Sequence, residues 1–443
     1  MTAQVKVLTR NIDLAKPAPP VTLKAYLANG GYDGAKAAFK LAPKDVQAVI
    51  KDSNLRGRGG AGFPTGIKWS FVPMDGYEGQ KYLLCNCDEM EPGTFKDRAL
   101  IQGDPHQLIE GMLIAAYALG MTKGFIFIRY EYRKGADILD RAIAEAVEAG
   151  WLGDNIHGTD FHFHLETHLS GGRYICGEET ALINALEGKR ANPRFKPPFP
   201  QVRGFLGQPT IVNNVETFSN MPHILANGVE WYKGIGREGN YGTKIMGASG
   251  RVKTPGLWEF PLGVPMRELL EAHGGGPSRG LPFKAVIPGG LSTPIFKPDK
   301  FDTLMDFDSV GKAGSRMGTA GLIVMDEGDD MVDMTENVMR FYARESCGFC
   351  TPCREGIPWI HEIIKGINEG RGEPEDMDTL AEMTKHINHT FCAFAPGAQG
   401  PFASALALFR DEFEAKIPAI AAARATAAVE SRDTAPALAG AAA

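Results

Sequence analysis

Three cysteines, Cys347, Cys350 and Cys353, stand two residues apart in Ser346-Cys347-Gly348-Phe349-Cys350-Thr351-Pro352-Cys353-Arg354, and one more, Cys392, follows far downstream. No other stretch restricts the fold as much. Thiols this close must be turned inward by one tight loop, and the distant one must be carried back to them. Cys-x2-Cys-x2-Cys with a remote cysteine is the spacing of a [4Fe–4S] site, in which the trio holds three corners of a cube and the fourth thiolate closes it. Four thiolates also make a tetrahedral zinc site, although zinc sites more often pair two Cys-x2-Cys hairpins. On the iron–sulfur reading the chain transfers single electrons, and something else in it must supply them.

The 443 residues allow two to four domains, and a 44% hydrophobic content is enough to build their cores. A net charge of −6 with no dense basic run excludes a nucleic-acid binder. Thiols that hold a cluster fit a reducing compartment. No apolar run reaches bilayer length, and residues 1–20 lack the apolar core of a secretory signal. The expectation is a soluble protein on the cytoplasmic side, with no transmembrane span of its own, able to join a membrane complex.

After a proline-containing entry segment comes Arg56-Gly57-Arg58-Gly59-Gly60-Ala61-Gly62-Phe63-Pro64-Thr65-Gly66-Ile67-Lys68-Trp69. Glycines without Cβ, exposed N–H groups and nearby cations suit a backbone that approaches a phosphate. The same glycines also suit a mobile loop. Gly57, Gly59 and Gly62 satisfy G-x-G-x-x-G, but Lys51-Asp52-Ser53-Asn54 precedes them where the dinucleotide fingerprint needs a buried strand. Residues 81–87 read as a buried strand ending in Asp88-Glu89-Met90-Glu91, and polar groups at a strand's carboxyl end are where open α/β sheets bind ligands. A helix over 108–119, a strand over 124–129, a helix over 136–149 and a strand over 161–165 then predict a parallel sheet with helices on its faces. Tyr174 to Thr180 is a second loop at a strand end, with Glu178 and Glu179 in the first turn of a helix, where the macrodipole alone would favour them. The proline-rich stretch 190–207 is long enough to be functional. Asn213 and Asn214 open the next helix as caps or ligand donors. Two short strands, a helix and another strand after Gly239 predict a small α+β domain, and the rest is helical. Boundaries follow at 1–55, 56–238, 239–328, 329–419 and an Ala-rich tail, 420–443, expected to be frayed or disordered because it has few large apolar groups.

Five motifs occur in order: Gly57 to Gly66; Asn86-Cys87-Asp88-Glu89; Tyr174 to Thr180; Asn213-Asn214-Val215-Glu216-Thr217; and Cys347 to Gly356. With them, residues 30–415 closely resemble the flavin-bearing, NADH-oxidising subunit of respiratory complex I, the NADH-quinone oxidoreductase. The resemblance implies a Rossmann-like FMN- and NADH-binding domain, a small ubiquitin-like α+β domain and a C-terminal helical bundle carrying the [4Fe–4S] cluster on Cys347, Cys350, Cys353 and Cys392. It places FMN against Gly57, Arg58, Gly59, Gly60 and Lys68, with Asn86, Asp88 and Glu89 near the ribityl chain and ring. Tyr174, Gly177, Glu178, Asn213, Asn214 and Thr217 complete that pocket. For NADH it implies adenine stacking on Phe63, Phe71 and Phe199, with Lys68 also in contact, Glu91 near the nicotinamide and Glu179 near the adenosine ribose. An acid at a ribose 2′-hydroxyl disfavours NADPH. No side-chain general base is expected, since FMN carries the chemistry. The implied partners are a thioredoxin-like [2Fe–2S] subunit and a large iron–sulfur subunit, the E- and G-type chains, on the cytoplasmic face of the bacterial inner membrane. The diaphorase subunit of an NAD-reducing hydrogenase or NAD-dependent formate dehydrogenase shares these cofactors and is the rival. A colourless zinc-stabilised scaffold is the rival from another class.

Overall fold

The computed structural model describes residues 2–16 and 18–433. The chain divides into two compact units, residues 1–328 and 329–443.

The first unit is built on a four-stranded sheet. Its strands are β1 (Tyr82–Cys87), β2 (Lys123–Ile128), β3 (His164–Leu169) and β4 (Thr210–Asn214), in the order β3-β2-β1-β4. All three pairings are parallel. The chain steps from β1 to β2 to β3 in one direction, then returns to lay β4 on the other side of β1. The order therefore reverses between β1 and β4, and an open parallel sheet places its ligand crevice at such a switch point, beyond the carboxyl ends of the strands. The register sets Cys85 beside Asn213 and Asn86 beside Asn214 at those ends.

Alternation along β1 assigns its faces. Leu83, Cys85 and Cys87 join the main core with residues of the helices Pro105–Leu119, Arg133–Glu148 and Val215–Asn227. The long helices thus share one face of the sheet. Across the sheet, Phe205 of the proline-rich segment packs on Tyr82 and Phe125. That leaves Asn86 on the face that irregular chain covers. The helix Pro105–Leu119 is buried all round, including Gln107 and Glu110, and a Cβ on its Gly111 would stand 2.1 Å from the carbonyl oxygen of Phe218. The expected strand at 161–165 lies later, at His164–Leu169. Phe163 forms only an isolated bridge with Gly153, and β3 is an edge strand whose outer residues stay polar.

A second sheet in this unit has the order Phe283–Ile287, Gly321–Asp326, Thr243–Gly250, Gly256–Pro261. Its central pair is parallel and both outer pairs are antiparallel, a ubiquitin-like arrangement. The amino-terminal segment is strapped onto it. Glu259, 2% exposed, accepts from the backbone N–H groups of Val7, Leu8 and Thr9.

The second unit is helical: Met331–Glu345, Gly356–Asn368, Pro374–His386 and Phe394–Leu408 form its body. Val338, Met339 and Tyr342, and then Ile357, Ile360 and Ile364, repeat at helical spacing and are buried. Asp330 caps the first helix by accepting from the N–H groups of Val332 and Asp333. Of the expected Ala-rich tail, Pro418–Asp433 forms a helix, and 434–443 lies outside the described residues. Among the described residues no helix is long and apolar enough to cross a membrane.

Candidate functional site

The glycine loop closes on itself. Arg56 and Pro64 form a bridge, Gly57 N–H donates to the carbonyl of Phe63 at 2.9 Å, and Arg56 Nε donates to the carbonyl of Gly62 at 2.9 Å. The helix Pro43–Asp52 precedes it, so it is not the turn of a strand-led dinucleotide fingerprint. Two of its glycines are demanded by contact. A Cβ on Gly59 would stand 2.9 Å from Asn214 Cβ, and one on Gly62, whose φ is +66°, would stand 2.5 Å from the Phe307 ring.

The loop roofs a cavity of about 810 Å³ over the β1/β4 switch point. Gly57, Gly59, Gly60, Ala61 and Gly62 form one wall. Asn86 comes from the end of β1, Val212, Asn213 and Asn214 from β4, and Thr217 from the helix after it. Gly177 and Glu179 close one side, and Lys196, Phe199, Gln201 and Val202 enter from the proline-rich segment. Phe63, Phe71 and Phe199, each at least half exposed, stand at this cavity as planar surfaces. Two lining residues carry buried oxygens with no protein partner, Asn213 Oδ1 and Thr65 Oγ1. Each can accept a hydrogen bond from a ligand hydroxyl or N–H.

Charge is arranged around one acid. Lys68 Nζ lies 2.8 Å from Glu179 Oε2 and donates to the carbonyl of Val212 at 2.8 Å. Lys196 Nζ lies 2.8 Å from Glu178 Oε1 and 3.3 Å from Glu179 Oε1. Burial would raise the Glu179 carboxyl, but Lys68 and then Lys196 outweigh it and hold the group below the usual carboxylate range. Backbone close to a ligand through glycine, an ammonium, unsatisfied buried oxygens and aromatic walls fit a flavin mononucleotide. They also leave room at the rings for a second planar group.

Six expected residues do not line this cavity. Arg58 is fully buried; it donates to Tyr232 Oη and to the carbonyls of Thr243, Tyr241 and Arg56, tying the loop to the chain behind it. Asp88 accepts from Ser170 Oγ at 2.9 Å. Glu89 caps the helix Lys96–Gly103 through the N–H groups of Asp97 and Arg98, and Tyr132 Oη also donates to it. Its carboxyl is pushed up to about 7, first by burial. Tyr174 Oη donates to Glu91 Oε2 at 2.5 Å, and Ser292 N–H donates to Glu91 Oε1, so this pair faces the small domain. Glu178 caps the helix Glu179–Leu186. Gly62 of the glycine loop lines the cavity as well, and Ala61, Thr65, Lys196, Gln201, Val202 and Val212 do so without having been expected as contacts. Lys196 had a usable signal, a cation within a proline-rich segment already suspected of function.

In the second unit the cysteine loop joins the helix Met331–Glu345 to a short helix, Thr351–Arg354. Gly348, with φ +78°, makes the turn, and Arg354 Nη1 donates to its carbonyl at 3.0 Å. Cys392 arrives just ahead of the helix Phe394–Leu408. Burial pushes the Cys353 thiol up to about 12, and charge on Cys392, Cys347 and Cys350 adds to the rise. Ser346 Oγ lies 3.2 Å from Cys353 Sγ. Among the described residues these thiols are not drawn into a closed ligand cluster, but four thiols at this spacing are the donor set a [4Fe–4S] cluster takes, and its irons would offset the charge that otherwise keeps such thiols protonated. Cys176 is buried beside the cavity in the turn Tyr174–Gly177.

Comparison with known proteins agrees with these two centres. Residues 50–223 match the Nuo51 FMN-binding domain, 249–296 the SLBB domain, and 333–416 the NADH-ubiquinone oxidoreductase-F iron–sulfur binding region. The chain is 55% identical over 401 residues to the NADH-quinone oxidoreductase F subunit of Escherichia coli strain K12, covering 90% of each. It is 43% identical over 420 residues to that of Mycobacterium bovis, covering 94% of each. Among solved structures it is similar to a chain of the NAD+-reducing [NiFe]-hydrogenase in the air-oxidized state. That match has a TM-score of 0.79 and 34% identity, and it covers 91% of this chain and 68% of that one. The chain belongs to the family of F subunits of the NADH-quinone oxidoreductases.

Proposed function

We infer that this chain is the subunit at which NADH enters a multi-subunit NADH-quinone oxidoreductase. The observation that carries the reading is the glycine-walled cavity at the sheet's switch point, with a caged acid and three exposed rings at it. When bound, FMN supplies a ring that takes a hydride from NADH and can be reoxidised one electron at a time by the [4Fe–4S] cluster.

The residues have separate tasks. The loop Gly57 to Gly62 admits the cofactor's phosphate end to backbone contact, with Lys68 as the nearby cation. Asn213 Oδ1 accepts from the flavin's hydroxyl or N–H groups. Phe63, Phe71 and Phe199 hold the adenine by stacking. Glu179, kept ionised, accepts from the adenosine ribose and repels a 2′-phosphate. Cys347, Cys350, Cys353 and Cys392 hold the cluster. Cys85, Cys87 and Cys176 are buried thiols of the first unit and take no part in this quartet; onward electrons pass to other chains, with E- and G-type subunits at the cytoplasmic face of the inner membrane as the proposed partners. The hydrogenase likeness supports a diaphorase as a second reading; 55% identity over 90% of the chain favours the first.

Cofactor analysis of the purified chain tests this. Acid should release FMN, iron should approach about four per chain, and ferricyanide reduction should favour NADH over NADPH. A colourless protein holding one zinc and no flavin ends the proposal.

A further inference from the structure

Directly behind the cavity wall lies a set of buried charges that no ligand role accounts for. Lys96 is 2% exposed and Glu216 and Lys244 are fully buried. Lys96 Nζ lies 2.6 Å from Asp97 Oδ1 and 3.0 Å from Glu216 Oε2, and Lys244 Nζ lies 2.8 Å from the same Glu216 oxygen. Burying four ionised side chains is costly unless each is paired and hydrogen-bonded, so their retention here calls for a cause.

The cause is what they hold. A carboxamide has two N–H donors and two acceptor positions. On Asn214 all four are taken. Its Oδ1 accepts from Lys96 Nζ at 3.2 Å and from Glu216 N–H at 3.0 Å. Its Nδ2 donates to Asp97 Oδ2 at 2.6 Å and to the carbonyl of Asn86 at 3.4 Å. The fixed side chain in turn backs Gly59, leaving no space there for a Cβ. On the other flank, Lys244 Nζ donates to the carbonyl of Arg58 at 3.2 Å. The charged set thus grips both the asparagine at the end of β4 and the backbone of the glycine loop.

We propose that Lys96, Asp97, Glu216 and Lys244 are positioning residues for FMN, a charged brace that sets the cavity wall through Asn214 and Arg58 without touching the ligand. Of the asparagine pair, Asn214 is then wall, and Asn213, with its unpartnered Oδ1, is the ligand contact. Charge suits the task, because the reach of a short ion pair resists the small shifts that an apolar support tolerates. Burial would lower the Lys96 ammonium, but Asp97 and Glu216 raise it, so it stays charged. The proposal rests on FMN binding in this cavity.

A double-mutant cycle on the full-length chain tests it. FMN dissociation constants are read from flavin fluorescence for wild type, Asp97→Asn, Asn214→Ala and the double variant, with circular dichroism to confirm folding. Asp97→Asn keeps the shape but leaves one acceptor for two donors, so its NH2 must face either Asn214 Nδ2 or Lys96 Nζ, and the brace is broken at one of them. Each single variant should weaken FMN about tenfold, and the double should be no weaker than Asn214→Ala by more than about twofold, since the two act in one chain of contacts. The midpoint potential of the bound flavin should shift in Asp97→Asn, which a purely structural loss would not produce. An unchanged constant and potential in Asp97→Asn, or losses that multiply in the double, overturn the brace. If Asp97→Asn does not fold, Lys244→Gln carries the test. It leaves Glu216 paired with Lys96 and should still weaken FMN severalfold, and an unchanged constant overturns the brace. Wild type that binds no FMN refutes the cofactor reading itself, an outcome distinct from failure of the brace.

Discussion

Replacing Glu179 by glutamine should open the site to NADPH. The carboxylate is 21% exposed and caged by Lys68 at 2.8 Å and Lys196 at 3.3 Å, so it is a fixed negative charge at neutral pH. A coenzyme whose adenosine ribose meets Glu179 brings any 2′-phosphate to within about 5 Å of it. At an effective dielectric constant of ~20 two such charges repel by about 3 kcal/mol. Partial exposure and salt reduce this to ~2 kcal/mol, or roughly thirtyfold. Glutamine keeps the size and a hydrogen-bonding oxygen, and it leaves two ammonium groups with one acid fewer between them. The expected result is a kcat/KM for NADPH raised about thirtyfold, with NADH changed by less than about fivefold. Ferricyanide reduction measures both. The NADPH gain should shrink as ionic strength rises, because a Coulomb term is screened. Equal losses with both coenzymes would mean that Glu179 only holds the lysines in place, and the repulsion argument would be wrong.

Gly59→Ala should weaken FMN at least about tenfold with little change in melting temperature, because its new methyl pushes on Asn214 at the cavity wall; equilibrium flavin binding checks it. Cys350→Ser should drop iron below about four per chain while FMN stays bound, measured by metal analysis and flavin release, since thiols and cavity lie in different units. His223 is buried, bonds Gln107 through Nε2 at 2.6 Å, and is pushed down to about 3 by burial and then by Arg10. A base with a lowered folded pKa binds fewer protons folded than unfolded, so it removes stability as pH falls from about 6.5 toward 3, by ~1.4 kcal/mol per unit. The stability difference between wild type and His223→Gln should therefore be flat above pH 6.5 and decline below it in urea titrations. Taking the difference cancels Glu89, whose raised carboxyl acts in the opposite direction.

What the sequence made legible depended on distance along the chain. β1 and β2, and the helices around them, came from local apolar runs and agree with the structure to within a few residues. The cysteine spacing alone pointed to an iron–sulfur region, and residues 333–416 match one. β4 was not foreseen, because Thr210-Ile211-Val212-Asn213-Asn214 is short, ends in two polar residues and follows a long proline-rich stretch. Yet β4 creates the switch point, so the site's location was a property of strand order that no window of sequence contains.

The same limit explains why some residues expected at the ligand do not line the cavity. Arg58 looks like a phosphate cation in a glycine-rich loop, and only the fold turns it toward Tyr232 and the carbonyls of Thr243 and Tyr241. Glu89 looks like a ligand acid and serves as a helix cap. In both cases the residue type fits either role, and the deciding fact is which buried backbone groups lack partners nearby. A charged residue next to a binding motif is therefore as much a candidate for shaping the cavity as for filling it. Here the cation that does line the cavity with Lys68 is Lys196, from a segment well over a hundred residues downstream of the loop. In this chain the topology brings Lys196 to the cavity beside Lys68, while Arg58 spends its donors on holding the glycine loop in shape.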